Sequence, residues 1–255
     1  MSYGGRKLMA KLIQNGEIAT EETRVFSYQT DLNSILKPSS ALRFFQEIAN
    51  EHCMFFKMDA KSLFEKEMMF LLIAVSVDFY KMPKLNDEIT LQTWSRGVKG
   101  IQFERPSRIL DKNGEVLAVA SSKWILANTT TRKLLRPKEF EFFNIPSYDL
   151  GYDLRDKKII MPPDLEYVGD RVVRYSDIDY NGHVNNSVYA DFTLDFISDD
   201  ITKKRVSKID IYFHSEALLG DKVKMYVKKY DGTYYVKGEH ERGVCFDARC
   251  ELVDL

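Results

Sequence analysis

The chain repeats itself, and that constrains its fold more than any other feature. Residues 28–41 read YQTDLNSILKPSSA and residues 175–188 read YSDIDYNGHVNNSV. Each is a Tyr-led polar segment with Asp and Asn, and each precedes a stretch of helical periodicity. Farther along, Pro83-Lys84-Leu85-Asn86-Asp87-Glu88-Ile89 is matched by Leu218-Leu219-Gly220-Asp221-Lys222-Val223, both turns that launch long alternating strands. Two matches in the same order are the mark of a duplicated unit. A length of 255 residues fits two modest units as well as one large domain, and the repeat, made of two weak matches in common strand-turn-strand text, suggests two.

Local patterns fill in each unit. A helix is expected after Pro38, with Ser39 or Ser40 as N-cap, running through ALRFFQEIANEHCMFF. Its Ala41, Phe44, Phe45, Ile48, His52, Phe55 and Phe56 share one face. A second helix is expected from Asn185 or Asn186, with Val188, Tyr189, Phe192 and Phe196 along one side. Strands are expected at 69–80, 88–96, 101–110 and 115–127, and again at 207–214, 222–230, 233–240 and 244–253. Asn113-Gly114 and Asp231-Gly232 read as hairpin turns, because these residues tolerate positive φ. Each half is then one helix followed by about four antiparallel strands, an α+β plan with a helix laid on a curled sheet. From Arg136 to Asp164 the chain carries Pro137, Pro146, Pro162 and Pro163 and little periodicity. The expected division is 1–140, a linker over 141–164, and 165–255.

Charge narrows the function classes. Lys and Arg number 37 against 38 Asp and Glu, so a globally basic nucleic-acid binder is excluded. Local basic runs remain at Arg132, Lys133, Arg136 and Lys138, and at Lys203, Lys204 and Arg205; such runs are commonly no more than solvated surface. Cys53, Cys245 and Cys250 lack metal-ligand spacing and leave an odd one out, which favours a reducing compartment. The apolar pieces of the first 14 residues are too short for a signal h-region, and the longest apolar run, Met68 to Val77, is about half a membrane span. A soluble cytoplasmic protein is expected. An aromatic content of 13% points to a thick core or a large apolar cavity.

Chemistry concentrates in one segment. Asp177, Asp179, Asn181, His183, Asn185 and Asn186 crowd into ten residues before the second helix. In extended backbone, Asp177, Asp179, Asn181 and His183 fall on one side, and the helix start beyond offers N–H groups to an oxyanion. The alternative is an Asx-rich loop that caps the helix and bonds to itself. The first-half counterpart of His183 is Leu36, so the polar set belongs to one repeat, and capping needs no histidine. His214 shares strand parity with Glu216 but reads as structural, and His52 reads as a packing residue. His240 and Glu241 lack a second histidine at metal-binding spacing.

The text DIDYNGHVNNSVY resembles the signature of the acyl-acyl-carrier-protein thioesterases of plants and bacteria, hydrolases built from two tandem hotdog domains. LRFFQEIANEH, the strand-ending Trp94 and KWILANTTTRKLLRP extend the resemblance over most of residues 20–255. It implies a double hotdog, each half a long helix packed on a curled antiparallel sheet. The first domain would house the acyl chain along the Phe-rich helix face with Met68, Met69, Phe70 and Trp94, and the second would carry the chemistry. The family's Asp-x-Asn-x-His set falls on Asp179, Asn181 and His183, and its downstream acid on Glu216. Plant members carry Cys after that acid, where this chain has Ala217, so water is the implied nucleophile. Glu216 or Asp179 would orient and deprotonate the water, Asn181 would hold the water or the thioester, and His183 would donate to the developing charge or shuttle the proton.

The implied reaction is hydrolysis of fatty acyl-acyl carrier protein to free fatty acid, which ends chain elongation. It needs no metal and no cofactor beyond the phosphopantetheine arm that the substrate brings. The implied partners are the acyl-loaded carrier protein and its acyl chain, without nucleic acid or membrane, and with a homodimer left open. An acidic carrier would dock on the basic runs. An acyl-coenzyme A hydrolase shares this chemistry. The complete polar set disfavours a non-catalytic acyl-binding hotdog protein, and the HVNN text with the Glu placement disfavours a dehydratase.

Overall fold

The computed structural model describes residues 11–13, 18–137, 146–150 and 158–255. The first half contains β1 (Lys11–Ile13), β2 (Ile18–Arg24), α1 (Pro38–Phe55), α2 (Ala60–Phe64), β3 (Met68–Phe79), β4 (Glu88–Trp94), β5 (Val98–Lys99), β6 (Gln102–Asp111), β7 (Val116–Asn128) and β8 (Leu134–Leu135). The second contains β9 (Glu166–Val172), α3 (Val188–Asp195), β10 (Lys204–Phe213), β11 (Lys222–Tyr230), β12 (Thr233–His240) and β13 (Gly243–Asp254). All eight expected strands are present; β2 and β9 add an equivalent strand ahead of each helix, and β1, β5 and β8 are short additions in the first half.

The strands form a single antiparallel sheet in the order β1-β2-β4-β6-β7-β3-β10-β13-β12-β11-β9, with β5 beside β6 and β8 beside β7. Equivalent strands of the two halves stand in mirrored order about the β3–β10 seam, where Val77 faces Ile209 and Val75 faces Ile211. One apolar cluster runs through both halves, from Ile48, Leu91 and Ile109 to Phe192, Ile209 and Phe246. The halves are thus two repeats around a shared core, and burial of that core is the main stabilising term.

The repeat can be followed bond by bond. Each half has a 3-10 turn, Ser27–Gln29 or Tyr175–Asp177, followed by a bridge that pairs Thr30 with Leu36 or Ile178 with Val184. Leu36 N–H donates to the Pro83 carbonyl at 2.8 Å, and Val184 N–H to the Ala217 carbonyl at 2.9 Å. Lys84 N–H donates to Asp87 Oδ2 at 2.8 Å, and Leu218 N–H to Asp221 Oδ2 at 2.7 Å. This register makes Ile35 the counterpart of His183 and Met82 the counterpart of Glu216. The letter-by-letter match, which sets Leu36 against His183, is one residue out.

Several local expectations are corrected. Lys37, not a serine, is the N-cap of α1; Pro38 takes the first helical position, where its missing N–H is no loss, and Ser39 and Ser40 lie buried inside the helix. Phe55 leaves the buried face and is 66% exposed. The second helix starts at Val188 rather than Asn185, because the Asn185 side chain accepts from Ser187 N–H at 2.9 Å and holds a turn there. That helix has 8 residues against 18 in α1. Asp231 and Gly232 both take positive φ in a two-residue hairpin. At Asn113-Gly114 only Gly114 does, since the Asp111 carboxylate accepts from Asn113 N–H and Glu115 N–H and closes a longer loop. Among the described residues, no helix is long and apolar enough to cross a membrane.

Candidate active site

The polar segment before α3 is a hairpin, not extended backbone. After the 3-10 turn, Asp179 N–H donates to the His183 carbonyl at 3.0 Å and Gly182 N–H to the Asp179 carbonyl at 3.0 Å. Gly182 takes φ +84°, a conformation that disfavours other residues. Asp177 is therefore not aligned with the others. It is buried, accepts from Arg174 N–H at 2.7 Å, and pairs with Arg171 at 2.9 Å. Asp179 Oδ1 accepts from Asn181 N–H at 2.8 Å, an Asx turn that places Asn181 at the exposed tip.

The first repeat contains the same turn. Asp31 Oδ1 accepts from Asn33 N–H at 2.8 Å, and Ser34 takes φ +59° where Gly182 stands in the second repeat. The expectation that the polar set belongs to one repeat is corrected accordingly: the Asp-x-Asn pair is common to both and builds the hairpin in each. The difference between repeats lies one step beyond. Ile35 and Met82 are 6% and 5% exposed, apolar and packed away. Their counterparts His183 and Glu216 have side chains 22% and 44% exposed.

His183 Nε2 lies 3.9 Å from Glu216 Oε1, and its Nδ1 is 3.4 Å from the Val184 carbonyl. The structure therefore brings His183 and Glu216 face to face. Asp179 Oδ2 accepts from Asn185 Nδ2 at 3.4 Å. A third group comes from the other half: Arg132 Nη1 is 3.6 Å from Glu216 Oε1. Asn128 shapes the loop that delivers it, accepting from Thr130 N–H at 3.0 Å and Thr131 N–H at 2.7 Å, and Arg132 itself takes φ +57°. Sequence patterns placed Arg132 in a basic surface run; nothing local in the sequence marks it as a neighbour of Glu216. Of the remaining basic residues, Lys203 pairs with Asp200, Lys204 pairs with Asp254, and Arg205 donates to the Phe79 carbonyl. Lys138 lies outside the described residues, as do 141–145 and 151–157 of the expected linker.

An apolar cleft lies between α1 and the inner face of β3 and β7, lined by Phe45, Ala49, Leu72, Val75 and Trp124. Asn186 and Ser187, just beyond the hairpin that holds His183, line it too. Arg43 Nε donates to Ser187 Oγ at 3.0 Å, tying the two halves together beside it. Ala217 is fully buried, and burial pushes the Cys245 thiol up to about 12 and the Cys250 thiol up as well. His214 is exposed beside Asp247 at 2.8 Å, and His52 is fully buried against Arg105 at 2.9 Å. Among the described residues, no group of three His, Cys, Asp or Glu side chains is placed to hold a metal ion.

The sequence profile of the acyl-ACP thioesterase N-terminal domain matches residues 16–141, and that of the C-terminal domain matches residues 166–248. The chain belongs to the acyl-ACP thioesterase family. It is 26% identical over 227 residues to oleoyl-acyl carrier protein thioesterase 2 of Arabidopsis thaliana, covering 82% of this chain and 62% of that protein. It is 26% identical over 165 residues to dodecanoyl-[acyl-carrier-protein] hydrolase of Cinnamomum camphora, covering 61% and 43%. The chain spans about two-fifths to three-fifths of the length of such curated relatives. Among solved structures, an acyl-ACP thioesterase from Bacteroides thetaiotaomicron superposes with TM-score 0.83 at 20% identity, covering 95% of this chain and all of that one. The 12:0-ACP thioesterase from Umbellularia californica gives 0.81 at 17% identity, covering 93% and 98%. The family's double hotdog is the fold described above.

Proposed function

We propose that this acyl-ACP thioesterase family member hydrolyses the thioester of fatty acyl-acyl carrier protein and releases free fatty acid, ending elongation. The observation that carries the reading is the His183–Glu216 pair, which stands in one repeat where the other buries Ile35 and Met82, and whose His183 hairpin leads directly to Asn186 and Ser187 in the lining of a cleft shared by both halves. A separation of 3.9 Å is long for a direct hydrogen bond and suits a bridging water. Glu216 takes a proton from that water as its oxygen attacks the thioester carbonyl, and the C–S bond then breaks. The thiolate leaves with a proton returned through His183 or Glu216. Thiolate is a good leaving group, so no covalent intermediate is required. Asp179 and Asn181 act by shaping the hairpin that presents His183, and Arg132 holds Glu216 from the opposite half.

In this reading residues 1–140 take the acyl chain, 141–164 link, and 165–255 perform the chemistry. The apolar cleft along α1 supports the first assignment. The exposed run Arg132, Lys133 and Arg136, next to the site, suits an acidic carrier. Three free thiols, two of them buried, suit a reducing compartment such as the cytoplasm. The test is thiol release from acyl-acyl carrier protein and acyl-coenzyme A of several chain lengths. Faster turnover of the carrier-protein thioesters supports the proposal; no release from either substrate overturns it.

A further inference from the structure

Glu216 sits in the loop between β10 and β11, where an exposed side chain on a loose backbone would make a poor base. The loop is not loose. His240, 5% exposed at the end of β12, directs Nε2 at the Glu216 carbonyl at 3.2 Å and at Ser215 Oγ at 3.3 Å. Ser215 Oγ–H is itself committed to the Val244 carbonyl at 2.8 Å, so toward His240 the hydroxyl is an acceptor. On the other side of the ring, Arg242 N–H donates to Nδ1 at 3.2 Å. A carbonyl on one side and an N–H on the other admit one form of the ring, neutral imidazole with its proton on Nε2. Arg242 adds a second clasp: Nη2 donates to the same Glu216 carbonyl at 3.3 Å, and Nη1 donates at 3.1 Å to Asp221. Asp221 in turn accepts from Leu218 N–H at 2.7 Å, at the far end of the loop.

The first repeat provides the comparison. The position matching His240 is Asp111, whose carboxylate turns back to Asn113 N–H and Glu115 N–H of its own hairpin. Where the loop carries Met82, the side chain at this position bonds within its own hairpin. Where it carries Glu216, the hairpin reaches across and holds the loop's backbone.

We infer that His240, with Arg242, is a positioning residue that fixes the backbone of Glu216 and thereby aims its carboxylate at His183. This rests on the reading of Glu216 as the base. The ring touches the carbonyl and not the carboxylate, so its contribution is geometric, and misplacing a base by about 1 Å costs up to about 100-fold.

The experiment measures kcat and KM for acyl-acyl carrier protein in His240→Ala, His240→Gln, Arg242→Met and Glu216→Gln, with His240→Ala also built into Glu216→Gln. Gln places an N–H near the position of Nε2. The expected result is a kcat lowered about 10–100-fold in His240→Ala with KM within twofold. Recovery of most of the loss in His240→Gln, a smaller kcat loss in the exposed Arg242→Met, and no further loss in the double variant are also expected. Wild-type kcat in His240→Ala beside a depleted Glu216→Gln overturns the positioning role alone. So does an equal fold-loss in the Glu216→Gln background, which would place the effect elsewhere. Wild-type turnover in Glu216→Gln overturns the reading of the base, and the positioning role of His240 falls with it.

Discussion

Replacing the second repeat's functional pair by its counterparts from the first, His183→Ile with Glu216→Met, should separate chemistry from folding. The first repeat accommodates Ile35 and Met82 on the same hairpin and loop with 6% and 5% exposure, so the backbone tolerates both side chains. Three contributions set the stability change. The Arg132–Glu216 contact at 3.6 Å joins side chains 61% and 44% exposed, and such pairs contribute below about 1 kcal/mol. The His183–Glu216 approach at 3.9 Å adds little in water. Against these losses, moving two apolar side chains toward the burial of their counterparts gains about 1–2 kcal/mol at roughly 25 cal/mol per Å². The net change is within about 1 kcal/mol, or about 2–4 °C in Tm for a chain of this size. Turnover should fall by at least about 100-fold, since acid–base groups contribute about 10²–10⁴. Thermal melts and thiol release on one preparation measure both. Turnover within tenfold of wild type refutes the site, and a Tm lowered by more than about 10 °C refutes the argument that the pair is dispensable to the fold.

Asp31→Ala and Asp179→Ala should lose similar stability, about 1 kcal/mol each, because each carboxylate closes the same turn; denaturant titration checks this, and thiol release should fall only for Asp179→Ala. Gly238→Ala should cost about 1–3 kcal/mol or more, since the added Cβ would stand 2.2 Å from Phe246 Cε1 in a ring that is fully buried; a Tm within a degree of wild type would contradict the packing. Burial holds the Asp191 carboxyl above its usual range despite Ser39, Arg43 and Lys37 nearby. The folded state therefore binds that proton more tightly, and stability falls as pH rises from about 3.9 through the raised value. Asp191→Asn should accordingly match wild type at pH near 3 and be more stable at pH 8, with melts at both as the check. Phe45→Ala should shift the released acids toward longer chains and Ala49→Phe toward shorter ones, read by chromatography of the products.

Alternation and turn residues make the main strands legible, most clearly in β11 and β12, which bury every second residue and show it in their spacing. β9 escaped notice for a physical reason. It is an edge strand with no fully buried residue and with Gly169 inside it, so it carries no alternating pattern. The second helix looked longer than it is because the polar Asn185 and Asn186 are good helix starters; the Asn185 side chain closes a turn of its own instead. The site was legible in part. His183 and Glu216 were identified through resemblance, but Asp179 and Asn181 could not be sorted from them by spacing, since hairpin-forming and catalytic Asx residues look alike in a sequence. The matching bonds of Asp31 and Asn33 show that the Asp-x-Asn pair builds the hairpin in both repeats. Arg132 and His240 were invisible for another reason. Their approach to Glu216 depends on strand register and on the join between halves, across 84 and 24 residues of chain respectively.

The duplication also explains how a polar site can be held beside an apolar cluster that runs through both halves. The groups that differ between repeats, His183 against Ile35, Glu216 against Met82 and His240 against Asp111, all lie at strand ends or in loops. None replaces a residue of the seam, where Val75 and Val77 face Ile211 and Ile209. Polar groups at that end keep access to water or to backbone partners, so they avoid the cost of about 1–3 kcal/mol that an unsatisfied buried group incurs. The exception is His240, which is buried, and its two ring nitrogens are both engaged. The first half is also more than a spare copy, because α1 lines the cleft, Arg43 bonds to Ser187, and Arg132 reaches Glu216. On the proposed reading, a second half expressed alone would lack the arginine beside Glu216 and one wall of the cleft, so thiol release should require both repeats.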